Sequence, residues 1–250
     1  MLFNDDERHN EQALPLKTPM ATRNADWDRD PAGYDDLRDR QGWINRRRTL
    51  FLCDWLERNA PAGHILELGS GTGRLAVDIA ANLPRLRWTG VDPLPAYITF
   101  ARDKAAAHGL QDRVRFIEGQ AENLAALAEA PAFDAVISND VLHHIDDLEQ
   151  AARAVAAVTR PGAFWCAIEP NAQNPYAFFN QWRRANERNF WPNAFLCAAQ
   201  TAGWALQERR TIFLIPPLIP HPGPILKTLE RYLEGVPFLG GGIVLVLRRV

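Results

Sequence analysis

Cysteine is scarce in this chain of 250 residues: Cys53, Cys166 and Cys197 are its only three, all in apolar stretches and none in C-x-x-C spacing. They read as plain core thiols, which fits a reducing cytoplasm as the expected location. No metal cluster can be assembled from the sequence, so no metal is expected. Blocks of positive charge are equally rare. Lys and Arg number 28 against 30 Asp and Glu, for a net charge of −2, and the longest basic run is Arg46, Arg47 and Arg48. That balance argues against nucleic acid as a partner.

Long apolar runs are missing too. None approaches the ~18 residues that a membrane-spanning helix needs, and the acidic start M-L-F-N-D-D-E-R-H-N lacks the pattern of a signal peptide. There is no internal repeat and no low-complexity tract. A soluble chain with one α/β domain is expected, since 47% hydrophobic content at this length can bury one substantial core.

What is present centres on Ile65 to Ala76, I-L-E-L-G-S-G-T-G-R-L-A: an apolar run, three glycines at alternate positions, then an apolar helical pattern. This reads as strand, tight turn and helix. Such a turn lets a ligand reach the main chain and meet the unpaired N–H groups of the helix start, where the dipole favours an anionic group. The dinucleotide fingerprint G-x-G-x-x-G would need a glycine where Arg74 stands, and no Lys-Ser or Lys-Thr follows to complete a P-loop.

Around this turn the chain alternates. Met1 to Ala25 reads as a loose arm, Trp27 to Trp43 spaces aromatics among charges, and Ile44 to Asn59 reads as an amphipathic helix. Strands are expected at Leu86–Val91, Arg113–Ile117, Phe133–Ser138 and Ala163–Ile168, the last after a turn at Pro161-Gly162. Helices are expected at Asn174–Arg188, Phe195–Ala202 and Ile225–Leu233, with further strands at Trp204–Ile215 and Gly242–Arg248. The strands end in polar residues, among them Asp92-Pro93, Asn139-Asp140 and Glu169-Pro170-Asn171. In open α/β sheets ligands bind outside the carboxyl ends of the strands, so these ends should converge on one crevice.

The glycine motif and the polar strand ends together resemble the class I S-adenosylmethionine-dependent methyltransferases, whose first motif has the form E/D-x-G-x-G-x-G. The run V-L-H-H-I-D-D resembles their small-molecule members, such as those of quinone biosynthesis. The resemblance implies a Rossmann-like seven-stranded, mostly parallel sheet with helices on both faces and strand seven antiparallel. It implies S-adenosyl-L-methionine as cofactor. Glu67, Gly69, Ser70, Gly71 and Gly73 would surround its methionine part, Asp92, followed by Pro93, would take the ribose hydroxyls, Ala121 and Glu122 would face the adenine, and Asn139 would turn towards the methionine end.

The Asn/Asp-Pro-Pro-Tyr tetrad of nucleobase and glutamine-amide methyltransferases is absent, since this chain reads Asn139-Asp140-Val141-Leu142. A flipped base is therefore not the expected acceptor. His143 and His144 follow, and either could take a proton from a hydroxyl; His144 is preferred. Trp27, Tyr34, Trp43, Tyr176, Phe179 and Trp182 are candidates for a lid and an apolar acceptor pocket. Methyl transfer to oxygen, ahead of carbon or nitrogen, of a small hydrophobic aromatic, polyketide or prenylated acceptor follows as the expected function. Two alternatives stand beside it: a protein of the same fold and cofactor doing cyclase-like chemistry, and a membrane-peripheral lipid methyltransferase. The expected division is an arm and cap over 1–42 and a domain over 43–250 with an insertion at 216–241. No integral membrane span is expected, and peripheral contact and oligomeric state stay open.

Overall fold

The computed structural model describes residues 30–124, 127, 132–183 and 188–250. Among them a seven-stranded sheet runs in the order β3-β2-β1-β4-β5-β7-β6. The strands are β1 His64–Leu68, β2 Arg87–Asp92, β3 Val114–Glu118, β4 Phe133–Asn139, β5 Thr159–Pro170, β6 Trp204–Ile212 and β7 Gly242–Arg249. β1 to β5 are mutually parallel, and β7 is inserted antiparallel between β5 and β6. The Rossmann-like sheet expected from the sequence is the sheet observed.

Alternation along the strands separates two cores. Ile65, Ala135, Ile137, Cys166 and Ile168 face one layer; Leu66, Leu68, Val136, Trp165 and Ala167 face the other. The first layer is covered by helices α2 (Gly42–Asn59), α3 (Arg74–Asn82) and α4 (Pro95–Ala107). The second is covered by α5 (Leu148–Val158) and α7 (Pro192–Thr201), where Trp165 meets Phe195 and Trp204 edge-on at 5.1 and 5.3 Å.

The remaining helices are α1 (Pro31–Arg40), α6 (Pro175–Trp182) and α8 (Pro224–Leu233). Proline opens α1, α4, α6, α7 and α8, at the first turn where its missing N–H costs nothing. Asn174 caps α6 by accepting from the Ala177 N–H at 2.9 Å.

Some expected boundaries move: the strand expected over Trp204–Ile215 ends at Ile212. Pro161-Gly162 is a bulge inside β5 and not a turn before it: Thr159 already pairs with Phe133, the register then jumps so that Phe164 pairs with Ala135, and Gly162 takes φ +81°. The helix expected over Asn174–Arg188 ends at Trp182. The segment Met1 to Ala25 and Trp27 lie outside the described residues.

β1 lies between β2 and β4, so the chain leaves it in one direction and returns on its other side. A crevice opens at that switch point, beyond the carboxyl ends of β1 and β4.

Candidate active site

The glycine turn leaves β1 with three left-handed residues, Gly69, Gly71 and Gly73, at φ +66°, +53° and +73°. Space is as tight as the torsions: a Cβ on Gly69 would stand 2.4 Å from Val141 Cγ2, and one on Gly73 2.6 Å from the Phe116 ring. Gly71 instead faces open space, with only Tyr97 at 4.0 Å. The Gly71 N–H donates to Asp92 Oδ2 at 2.8 Å, and the Leu94 N–H to Oδ1 at 3.1 Å. The carboxylate that ends β2 is thereby fixed against the turn.

These groups line a cavity of about 420 Å³, together with Glu67, Ser70, Pro93, Ala121, Glu122 and Asn139. Of the ten cofactor residues expected from the sequence only Gly73 is off this wall; it is the left-handed N-cap of α3. Asn139 Oδ1 and Ser70 Oγ are buried there without a protein hydrogen-bond partner, which suits a polar ligand. Glu67 is more enclosed than an ordinary strand end: it is 2% exposed and accepts from Trp88 Nε1 at 2.8 Å. Burial pushes its pKa up to about 8, despite the Trp88 hydrogen bond and with a small addition from Asp92.

Helix α1 roofs this cavity. Asp35 Oδ1 accepts from Thr72 Oγ1 at 2.7 Å and from Lys104 Nζ at 2.5 Å, and Tyr34 packs on Tyr97 with ring centroids 5.4 Å apart.

A second cavity of about 960 Å³ adjoins the first; Tyr34, Arg38, Arg48, Asp140 and His144 belong to both walls. Asp140, at φ +53°, points its Oδ2 at Arg38 (3.1 Å) and Arg48 (2.8 Å). Burial alone would raise its pKa, but Arg48 and Arg38 outweigh it and hold the carboxyl at about 2. Burial in turn lowers the pKa of Arg48. Behind them, Glu169 accepts from the N–H groups of Val141 (3.0 Å) and Leu142 (2.8 Å) and faces His143 Nδ1 at 2.6 Å. The His143 and His144 rings lie 4.0 Å apart. Arg188 holds this short turn by donating to the carbonyls of His143 and His144 at 3.0 and 2.9 Å.

The aromatics divide. Tyr34 and Tyr176 line the larger cavity. Trp43 does not: it is buried, donates to Glu230 Oε2 at 2.8 Å, and carries the Lys227 ammonium over its ring at 4.6 Å. Phe179 and Trp182 project outward, 59% and 64% exposed. Phe213, buried at φ +65° beside Gly242, adds a strained apolar residue to the cavity wall.

Residues 65–162 match the family described as a methyltransferase domain. Over that stretch the chain carries a methyltransferase domain. The nine lining residues together with the buried acceptors Asn139 Oδ1 and Ser70 Oγ fit S-adenosylmethionine, the cofactor expected from the sequence.

Among relatives, the release factor glutamine methyltransferase of Chlorobaculum tepidum is 36% identical over 117 residues, 43% of this chain and 40% of that one. The demethylmenaquinone methyltransferase of Thermus thermophilus is 37% identical over 124 residues, 50% of this chain and 53% of that one. The chain thus spans about half, or less, of the length of these curated relatives. A methyltransferase of Thermotoga maritima, 17% identical, superposes over 90% of this chain and 98% of that one with a TM-score of 0.63, a likeness of fold.

Sequence reasoning gave no role to Glu169, Arg38, Arg48 or Asp140. For Glu169 a signal existed, since it ends strand five as Asp92 ends strand two; the arginines gave none, because their partner lies on a distant strand end.

Proposed function

We propose that this chain transfers a methyl group from S-adenosylmethionine to an oxygen, ahead of a carbon or nitrogen, of a small hydrophobic acceptor seated in the larger cavity. The observation that carries this reading is the shared wall: His144 and Asp140 border both volumes, so a donor in one and an acceptor in the other would meet there. When bound, the cofactor supplies an electrophilic methyl on a sulfonium.

Asp92 is suited to hold two adjacent hydroxyls, since both its oxygens are already oriented by main-chain donors. The main chain at Gly69 to Gly71 and the orphan acceptors of Ser70 and Asn139 are suited to the amino-acid end. Ala121 and Glu122 are suited to the base.

The proton of the acceptor hydroxyl has two candidate takers. Glu169 favours His143: it accepts the N–H groups of Val141 and Leu142, and its Oε2 stands 2.6 Å from Nδ1, a geometry that suits a proton on Nδ1. His144 is the ring that borders both cavities. Alignment and exclusion of water supply the rest of the effect. The sequence at the end of β4, Asn139-Asp140-Val141-Leu142, departs from the tetrad of amide methyltransferases and supports an acceptor other than a glutamine amide. The three free thiols support the cytoplasm as the compartment.

The test is incubation with S-adenosylmethionine carrying a labelled methyl and a panel of apolar phenols and alcohols. Label in an organic-soluble product together with S-adenosylhomocysteine is the expected result. Tight cofactor binding with no S-adenosylhomocysteine from any acceptor would move the protein to the class that keeps the cofactor without transferring its methyl.

A further inference from the structure

Helix α8 is turned the wrong way round for a helix of a water-soluble surface. Its glutamate points in: Glu230 is 2% exposed, accepting from Trp43 Nε1 at 2.8 Å and from the Ile215 N–H at 3.1 Å. Its apolar stripe points out: Ile225, Leu229 and Tyr232, at helical spacing, are 84%, 50% and 82% exposed. Further large apolar groups are exposed at Leu218, 78%, and at Phe179 and Trp182 on α6. The two segments are tied together, since Asn174 Nδ2 donates to the carbonyls of Phe238 and Leu239 at 3.1 and 2.9 Å.

Charge on these segments has one outward sign. Residues 171–183 contain no acid and end in exposed Arg183. Residues 213–241 contain two acids, Glu230 and Glu234, and both are turned inward; Glu234 is 10% exposed and paired to Arg47 at 2.7 Å. Arg231 is exposed, and Lys227 stands beside it over Trp43. Outward apolar and aromatic groups on segments whose only outward charges are cations complement an anionic lipid surface, where aromatic rings settle at headgroup depth and bases meet negative potential. The larger cavity opens within this surface, because Tyr176, Leu218 and Leu239 line it.

We infer that the face formed by α6, α8 and the 213–223 segment docks on an anionic lipid bilayer, with the mouth of the larger cavity turned to the membrane. This rests on the reading of that cavity as the acceptor site, and it names the source: an acceptor carried in the bilayer enters without crossing water. A polar chain of residues or a second copy of this protein would lack the reason for a single outward charge sign.

The experiment is cosedimentation of the full chain with vesicles of phosphatidylglycerol and phosphatidylcholine, against vesicles of phosphatidylcholine alone. Expected is binding to the first that weakens with salt, falls at least tenfold in the double variant Leu229→Asp, Tyr232→Asp, and falls about fivefold in Arg231→Glu. Cofactor affinity by calorimetry should be unchanged in all three proteins, which shows that the variants fold. Failure of the full chain to bind anionic vesicles, equal binding by the double variant, or a solution dimer that the double variant dissolves would each overturn the docking. The methyl-transfer reading is scored separately by S-adenosylhomocysteine: vesicle binding without product sinks that reading alone, and product without vesicle binding sinks only this one.

Discussion

The imidazole of His143 and the carboxylate of Glu169 meet at 2.6 Å in a setting where both side chains are essentially closed to water, 2% and 0% exposed. The carboxylate also anchors the main chain of the two residues before the histidine. One group thus sets the position of the ring and its tautomer together. Glu169→Gln keeps the size but can present an N–H to Nδ1. It is expected to lower kcat about a hundredfold and to move the acidic limb of the kcat profile against pH, with KM for the cofactor little changed. His143→Ala should match it, and His144→Ala should cost less. Wild-type kcat and an unshifted profile in both Glu169→Gln and His143→Ala would remove the pair from the chemistry.

Glu67 predicts a pH dependence of cofactor binding. Its pKa in the folded chain is raised to about 8, above the ordinary 4.5, so at neutral pH the site carries a protonated carboxyl. A cationic ligand group nearby favours the ionised form, so binding should release a proton and affinity should rise as pH goes from 6 to about 8. Glu67→Gln should flatten that rise. Calorimetry in two buffers of different ionisation heat measures the proton directly.

The same residue affects stability with a definite sign. Below 4.5 both states hold the proton; between 4.5 and about 8 the unfolded chain ionises while the folded chain does not, so stability declines as pH rises through that window. Urea unfolding across that range should show the decline in the natural chain and a smaller one in Glu67→Gln.

Asp140 acts oppositely. Its folded pKa is depressed to about 2, below the ordinary 3.8, so its contribution is present above 3.8 and is lost as pH falls towards 2. Asp140→Asn at neutral pH should leave Arg48, 8% exposed, without its countercharge, and is expected to cost about 3 kcal/mol in urea unfolding. A loss under 1 kcal/mol would mean that the arginine finds water or another acceptor.

Helix α1 predicts a separable effect on binding. Asp35→Ala removes the acceptor shared by Thr72 and Lys104, which ties the roof to the glycine turn and to α4. Affinity for the cofactor should fall about tenfold, the scale of one hydrogen bond to a charged group, while the unfolding midpoint shifts little. Equal affinity would show that the roof closes without this tie.

Much of the fold could be read locally. The strands announce themselves as apolar runs and their polar ends mark the crevice; Asp92, Asn139 and the glycines reach one cavity because the parallel sheet brings all its carboxyl ends to one edge. What could not be read depends on pairs far apart in the chain. Trp43 resembles a pocket aromatic by position, yet its N–H is drawn to Glu230, 187 residues on. Arg48 finds Asp140 across 92 residues, and Glu169 finds His143 across 26. Periodicity reports which face of an element is apolar, and it cannot say that the stripe of α8 faces away from the core. Pro161-Gly162 carries a turn signal that the sheet absorbs as a bulge, since pairing with β4 and β7 on either side overrides the local preference.

The position of β7 has a consequence for how the chain assembles. It is the last of these strands in chain order, yet it lies between two made before it, and among the described residues β6 pairs with β7 alone. Until Gly242–Arg249 emerges, β5 keeps an open edge and β6 cannot join the sheet at all. During synthesis the glycine turn and its crevice can therefore form before β7 is made, while β5 and β6 wait with exposed strand edges, which are prone to pair with other chains.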